Sequence, residues 1–130
     1  MRYYCPGYWS DFAEDLSPCP RCGLDIRRFW ESNDFLGRLI VALGHPEQDT
    51  RIRAAWILGQ RRNPRAVAPL IEFVEKTQDV YAATAAVEAL GRIGTPEALA
   101  FLERLEDHRA RMVREAAQAW LSKPTEGPHA

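Results

Sequence analysis

The stretch TRIRAAWILG at residues 50–59 decides the fold, because the chain repeats it. Residues 82–91 read AATAAVEALG and residues 113–122 read VREAAQAWLS. Leu58, Leu90 and Leu121 recur at intervals of 32 and 31 residues, and Ala54, Ala86 and Ala117 each stand four positions earlier. Residues four apart share a helix face, so each block predicts a helix that offers a small-plus-leucine seam to a neighbour.

The intervening segments repeat as well. NPRAVAPLIEFVEK (63–76) and TPEALAFLERLED (95–107) both open on a polar residue and then proline. Asn63 and Thr95 suit a helix N-cap, and Pro64 and Pro96 suit the first helical position, whose N–H has no partner within the helix. Val67, Leu70, Ile71 and Val74 form one apolar stripe, and Leu99, Leu102 and Leu105 form its counterpart. Upstream, Leu36, Leu39, Ile40 and Leu43 follow Ser32, Asn33 or Asp34 as the cap, and Gly44-His45-Pro46 ends that helix. The pattern predicts six helices in three hairpins: 34–43 with 50–60, 64–76 with 79–93, and 96–106 with 109–122. Pro69 lies within the first two turns of its helix, which predicts a mild kink at most.

One hairpin cannot bury both of its seams, whereas stacked hairpins bury them continuously. About three repeats is the lower limit for such an array, so its ends need covers. The expected architecture is all-α: a short α-solenoid of three hairpins over residues 33–122. A small unit at 1–28 precedes it, and a frayed tail at 123–130 follows. The pattern resembles the HEAT-like repeat of the phycobilin-lyase (PBS lyase) type, in which an acid and a Val-Arg pair lead through alanine-rich spacing to Leu-Gly. Thr50, Arg51, Ala54, Leu58 and Gly59 carry the resemblance in the first repeat, and Val113, Arg114, Ala117 and Leu121 in the third. The second has Ala82-Ala83 where Val-Arg is expected. The resemblance implies an adaptor that binds another protein; lyase or oxidoreductase chemistry is implied by kinship of fold alone.

Residues 1–30 differ in composition. They hold all three cysteines and many aromatics: Tyr3, Tyr4, Tyr8, Trp9, Phe12, Phe29 and Trp30. Cys5-Pro6-Gly7-Tyr8 and Cys19-Pro20-Arg21-Cys22 look like matched halves of a metal site, with Tyr8 where a fourth cysteine would belong. A Cys-Pro-x-Cys turn points two thiolates the same way and aims backbone N–H groups at sulfur. Two such turns resemble a zinc ribbon or rubredoxin-like knuckle pair, which implies zinc as the cofactor. A phenol with a pKa near ~10 is a poor zinc ligand. Three readings stay open: zinc on Cys5, Cys19 and Cys22 with water or Asp11 as fourth ligand; a metal-free remnant in which Tyr8 packs on Tyr4, Trp9 and Phe12; or a fourth ligand from a partner. The segment is expected to cap the first hairpin through Phe29 and Trp30.

The candidate partner-binding residues are Arg51, Trp56, Arg61, Arg62, Tyr81 and Arg92. Arg61 or Arg62, one period before Arg92, predicts a basic edge for acidic peptides or phosphates, or else solvated turn residues paired with Glu47, Glu72, Glu75 or Glu88. Trp56 and Tyr81 are the aromatics placed to reach a groove, Trp56 being equally suited to the core. A net charge of −1 over 130 residues disfavours the alternative of a nucleic-acid-associated protein that uses the knuckles and the arginines. No apolar run approaches the ~20 residues of a membrane span, and no signal-peptide pattern opens the chain, so a cytoplasmic location is expected. His45, His108 and His129 lack the following Glu of iron-binding HEAT-like hydroxylases. No nucleotide-binding, metalloprotease or serine-hydrolase motif occurs, so no catalytic residue is expected.

Overall fold

The computed structural model describes residues 2–123. Apart from Lys123, the tail expected at 123–130 lies outside the described residues, as does His129. Two short strands, β1 (Tyr3–Tyr4) and β2 (Asp11–Phe12), pair antiparallel, with Tyr3 opposite Phe12 and Tyr4 opposite Asp11. Seven helices follow: α1 (Ile26–Ser32), α2 (Phe35–Ala42), α3 (Gln48–Arg61), α4 (Val67–Lys76), α5 (Val80–Ile93), α6 (Pro96–Arg104) and α7 (Arg111–Leu121). The last six form the three expected hairpins, α2 with α3, α4 with α5 and α6 with α7. Helix α3 packs on α5 and α5 on α7, so the second helices of the hairpins make one layer and α5 is its centre.

The seams behave as their spacing requires. Ala54, Leu58, Ala86, Leu90 and Ala117 are buried, with Leu70, Val74 and Leu102 facing them from the first helices. Leu121, at the end of the stack, is only half buried because no further hairpin covers it among the described residues. At Gly59 helices α3 and α5 come so close that a β-carbon would lie 2.8 Å from Ala89 Cα, which is why glycine stands there.

Side chains set the helix starts. Asp34, Asp79 and Thr95 accept from the N–H groups of Gly37, Ala82 and Ala98, satisfying donors that have no partner within the helix. At the other ends, α3 and α5 stop on left-handed residues, Arg62 (φ 52°) and Gly94 (φ 67°).

Three expectations need correction. The helix expected from residue 64 starts later: Asn63 caps a 3₁₀ turn over Pro64–Ala66, and α4 begins only at Val67. Pro69 therefore sits in the first turn, where its missing N–H has no partner to lose. In α6 and the 3₁₀ turn Leu105–Asp107 that follows it the buried stripe is Ala98, Phe101, Leu102 and Leu105, while Leu99 is exposed; those four follow the i, i+3, i+4, i+7 spacing of one face and Leu99 falls beside it. Helix α1, capped by Asp25 on the Arg28 N–H, was not expected, since fewer than two turns give no legible period.

Candidate functional site

The N-terminal segment is built from two copies of one turn, fourteen residues apart. In the first, Cys5 N–H donates to the Ser10 carbonyl (2.9 Å) and Trp9 N–H to the Cys5 carbonyl (2.7 Å). In the second, Cys19 N–H donates to Leu24 (2.7 Å) and Gly23 N–H to Cys19 (2.9 Å). Gly7 N–H donates to Cys5 Sγ and Arg21 N–H to Cys19 Sγ, both at 3.4 Å. The match places Tyr8 opposite Cys22 and Trp9 opposite Gly23. Gly23 has φ 79°, and Trp9 adopts φ 60°, a left-handed conformation that bulky residues rarely hold. The first turn therefore keeps the shape of the second although two of its residues are wrong for it. The sequence held this signal in the fourteen-residue offset, which aligns Trp9 with a glycine.

The three sulfurs converge. Cys5 Sγ and Cys22 Sγ are 3.6 Å apart, and all three Sγ atoms lie within 4.8 Å of one another. Cys5 and Cys19 are buried and Cys22 is exposed. Burial pushes the Cys5 thiol up. Burial acts the same way on Cys19, but the N–H groups of Cys22 and Arg21 and the neighbouring thiols outweigh it and bring Cys19 down to about 7. Tyr8 does not join this cluster, and it does not pack on Tyr4, Trp9 and Phe12 as one reading expected, for its side chain is 83% exposed. Asp11 is engaged elsewhere, its Oδ2 accepting two bonds from Arg2 at 2.7 and 2.9 Å.

Phe29 and Trp30 set their rings edge-to-face with centroids 5.2 Å apart, and the Trp30 carbonyl accepts from Arg38 Nε of α2 at 2.9 Å. Tyr4 and Trp9 meet the first hairpin as well, setting their rings edge-on to His45 at 4.4 and 5.0 Å. The Trp9 indole lies over Gly44, where a β-carbon would come within 3.3 Å of its Nε1, and the Tyr4 hydroxyl donates to Glu47 Oε1 at 2.8 Å. His45 Nδ1 accepts from the Glu47 N–H at 3.0 Å, and two repeats later His108 Nδ1 accepts from the Ala110 N–H at 3.0 Å.

Both imidazoles are held below their ordinary pKa of 6.5, mainly by burial and, for His108, next by the Arg109 charge. A depressed histidine is neutral in the fold while the unfolded chain takes up the proton, so stability is full above about 6.5 and falls as pH drops through the folded value. We expect the melting temperature to decline from pH 7 to pH 5.5. A His45→Asn, His108→Asn variant, which keeps an acceptor for the N–H two residues on, should show a flatter profile; equal slopes would remove the histidines from the account.

Arg51 does not offer its charge outward. Its guanidinium donates to the His45 and Pro46 carbonyls, both at 2.8 Å, and to Asp79 Oδ2 at 2.7 Å, so it is spent on joining the first repeat to the second. Burial alone would raise the Asp79 carboxyl, but Arg51, the Ala82 N–H and Gln48 outweigh it and hold it below the usual carboxylate range. Arg114 repeats half of this device, donating to the His108 carbonyl at 2.6 Å. The second repeat has Ala83 where the arginine would be, and the third has Ala110 where the aspartate would be. Donor and acceptor are missing together, and an exposed Arg109–Gln78 hydrogen bond (3.0 Å) links these hairpins instead. Glu47 is the counterpart of Asp79 at the start of α3, and Tyr4 meets it where a preceding repeat's arginine would.

The remaining candidate residues lie apart from the sulfurs. The Arg61 guanidinium lies 4.3 Å over the Phe35 ring and Arg92 lies 5.6 Å over Trp120. Repeat register pairs Arg92 with Gln60, and Arg62 with Gly94 at the left-handed helix ends, so the expected row of Arg61 or Arg62 with Arg92 is not aligned. The proposed carboxylate partners are also corrected: among the described residues the ion pairs of this arginine-rich stretch are Arg51–Asp79 and Arg65–Asp34. Trp56 and Tyr81 both lie on the solvent side of the α3–α5–α7 layer, at 56% and 61% exposure, so Trp56 is no core residue. Met112, one period after Tyr81, is 42% exposed beside them.

The family model for HEAT repeats matches residues 37–122, from within α2 to the end of α7. The chain belongs to the HEAT repeat family. HEAT repeats are in general scaffolds for protein–protein interaction, and the match covers all three hairpins but stops short of the cysteine turns. No curated protein matches this HEAT repeat chain. Among the described residues of the HEAT repeat protein, no helix is long and apolar enough to cross a membrane.

Proposed function

We propose that this protein is a non-catalytic interaction module of the PBS-lyase repeat type, working in the cytoplasm, whose α3–α5–α7 face binds a segment of another protein. The exposure of Trp56 and Tyr81 on that one face carries the reading. Large aromatics supply much contact area with few rotors to freeze, and they dominate binding energy at protein interfaces. Asp49, Arg53 and Glu88 on the same two helices are exposed as well, so charged groups flank the two aromatics.

A photo-crosslinking side chain introduced at Tyr81 should trap one discrete protein in cells, whereas the same group at Glu103, exposed on α6, should not. Trp56→Ala should abolish that adduct, since losing such a residue costs about 2 kcal/mol or roughly thirtyfold in affinity. Identical adducts from positions 81 and 103 would remove the assignment of the face. Binding to a generic DNA duplex that falls steeply with salt would favour the nucleic-acid reading instead.

A further inference from the structure

We propose that Cys5, Cys19 and Cys22 hold one Zn²⁺ ion as a three-thiolate site whose fourth corner, beside Tyr8, is open to water or another small donor. Four observations converge on it. The first is spacing. Sulfurs around a tetrahedral zinc at a Zn–S distance of ~2.3 Å stand about 3.8 Å apart, and Cys5 Sγ and Cys22 Sγ are 3.6 Å apart with Cys19 Sγ beside them. The second is the outer shell. The Gly7 and Arg21 N–H groups already donate to Cys5 and Cys19 sulfur, the contact that stabilises a metal-bound thiolate.

The third is the duplicated turn. Its first copy keeps every backbone hydrogen bond of the second, with Trp9 held at φ 60° to do so. Loop strain of that kind persists only where the surroundings over-determine it, and a shared ion between the two turns is such a constraint. The fourth is the shortage of core. Cys5, Phe12 and Cys19 are the buried cluster of this segment, with Leu24 and Ile26 against it. So few apolar groups do not hold a fold of this size, whereas a structural zinc does.

The donor set selects the ion. Three thiolates favour a soft or borderline cation and exclude magnesium or calcium as natural occupants. Each thiol releases its proton to solvent as the metal–sulfur bond forms. Among the described residues no carboxylate or imidazole joins the sulfurs, and Asp11 is held by Arg2. The Tyr8 phenol points into solvent, so the corner opposite Cys22 is accessible. The site is structural: it fixes the turns that carry Tyr4 and Trp9 onto His45.

The test uses the purified full chain with Co²⁺ as a spectroscopic probe and Zn²⁺ as competitor. One equivalent of Co²⁺ should give thiolate-to-cobalt absorption and tetrahedral visible bands, both erased by one equivalent of Zn²⁺. Tyr8→Phe should leave the spectrum and affinity unchanged. Tyr8→Cys should raise the thiolate-to-cobalt band by about a third, as three thiolates become four, and tighten zinc binding by about tenfold or more. Cys22→Ser, at the one exposed residue of the three, should weaken binding while circular dichroism shows the repeat helices intact. Three results would overturn the proposal: no cobalt band in the parent chain when Tyr8→Cys shows one, a Cys5–Cys22 disulfide in freshly isolated protein, or loss of the band in Tyr8→Phe.

Discussion

Valine at Gly59 should lower the unfolding free energy by about 3 kcal/mol, and alanine by about 1–2 kcal/mol. A β-carbon there would meet Ala89 Cα at 2.8 Å and Ala89 Cβ at 3.0 Å. The obstacle is the backbone of α5, which cannot swing aside as a long side chain would. Helix propensity works the other way, since alanine gains up to about 1 kcal/mol over glycine inside a helix. The gain is smaller than the cost of forcing α3 away from α5, because that shift disturbs packing along the whole contact. Urea unfolding of the two variants beside the parent chain measures both. An alanine variant as stable as the parent would mean that the helices do not approach so closely.

Leu90→Ala should cost about 3–4 kcal/mol, and lower the melting temperature by about 10–15 °C. Leu90 is completely buried on the helix that packs against α3, α4, α6 and α7. With neighbours on every side the hole cannot collapse, so the loss includes the cavity as well as the transfer of the side chain. Leu121, its counterpart in the last repeat, is half exposed, and Leu121→Ala should cost about 1 kcal/mol. Thermal melts of the two variants distinguish a stacked array from a core of even density, for which the two losses would be alike.

The repeat architecture was legible because its signals are periodic and redundant. The Leu58, Leu90 and Leu121 series, the Asn63 and Thr95 caps and the prolines after them all point to the same hairpins, and five of the six helices lie within about two residues of expectation, α4 starting three residues late. The start of α4 was misjudged because a 3₁₀ turn over Pro64–Ala66 precedes it, and Leu99 because leucines at every third position drift off the 3.6-residue face that Ala98, Phe101, Leu102 and Leu105 share. The three cysteines were legible as a cluster from the two tetrads. What Tyr8, Tyr4 and Trp9 do was not. A tyrosine at a ligand position reads the same whether its ring turns in or out, and only the fold brings Trp9 to Gly44 and His45. Arg51 misled for a related reason: an arginine in an exposed-looking run gives no sign that an aspartate 28 positions later takes up its charge.

The absent Arg–Asp pair at Ala83 and Ala110 has a mechanical consequence. A charge pair with fixed geometry resists sliding, whereas apolar seams and a single exposed hydrogen bond give way more readily to small shear. The joint between the first two hairpins should therefore resist shear more than the joint between the second and third. On that ground the Trp56 end of the α3–α5–α7 face should hold its curvature more firmly than the end that carries Met112.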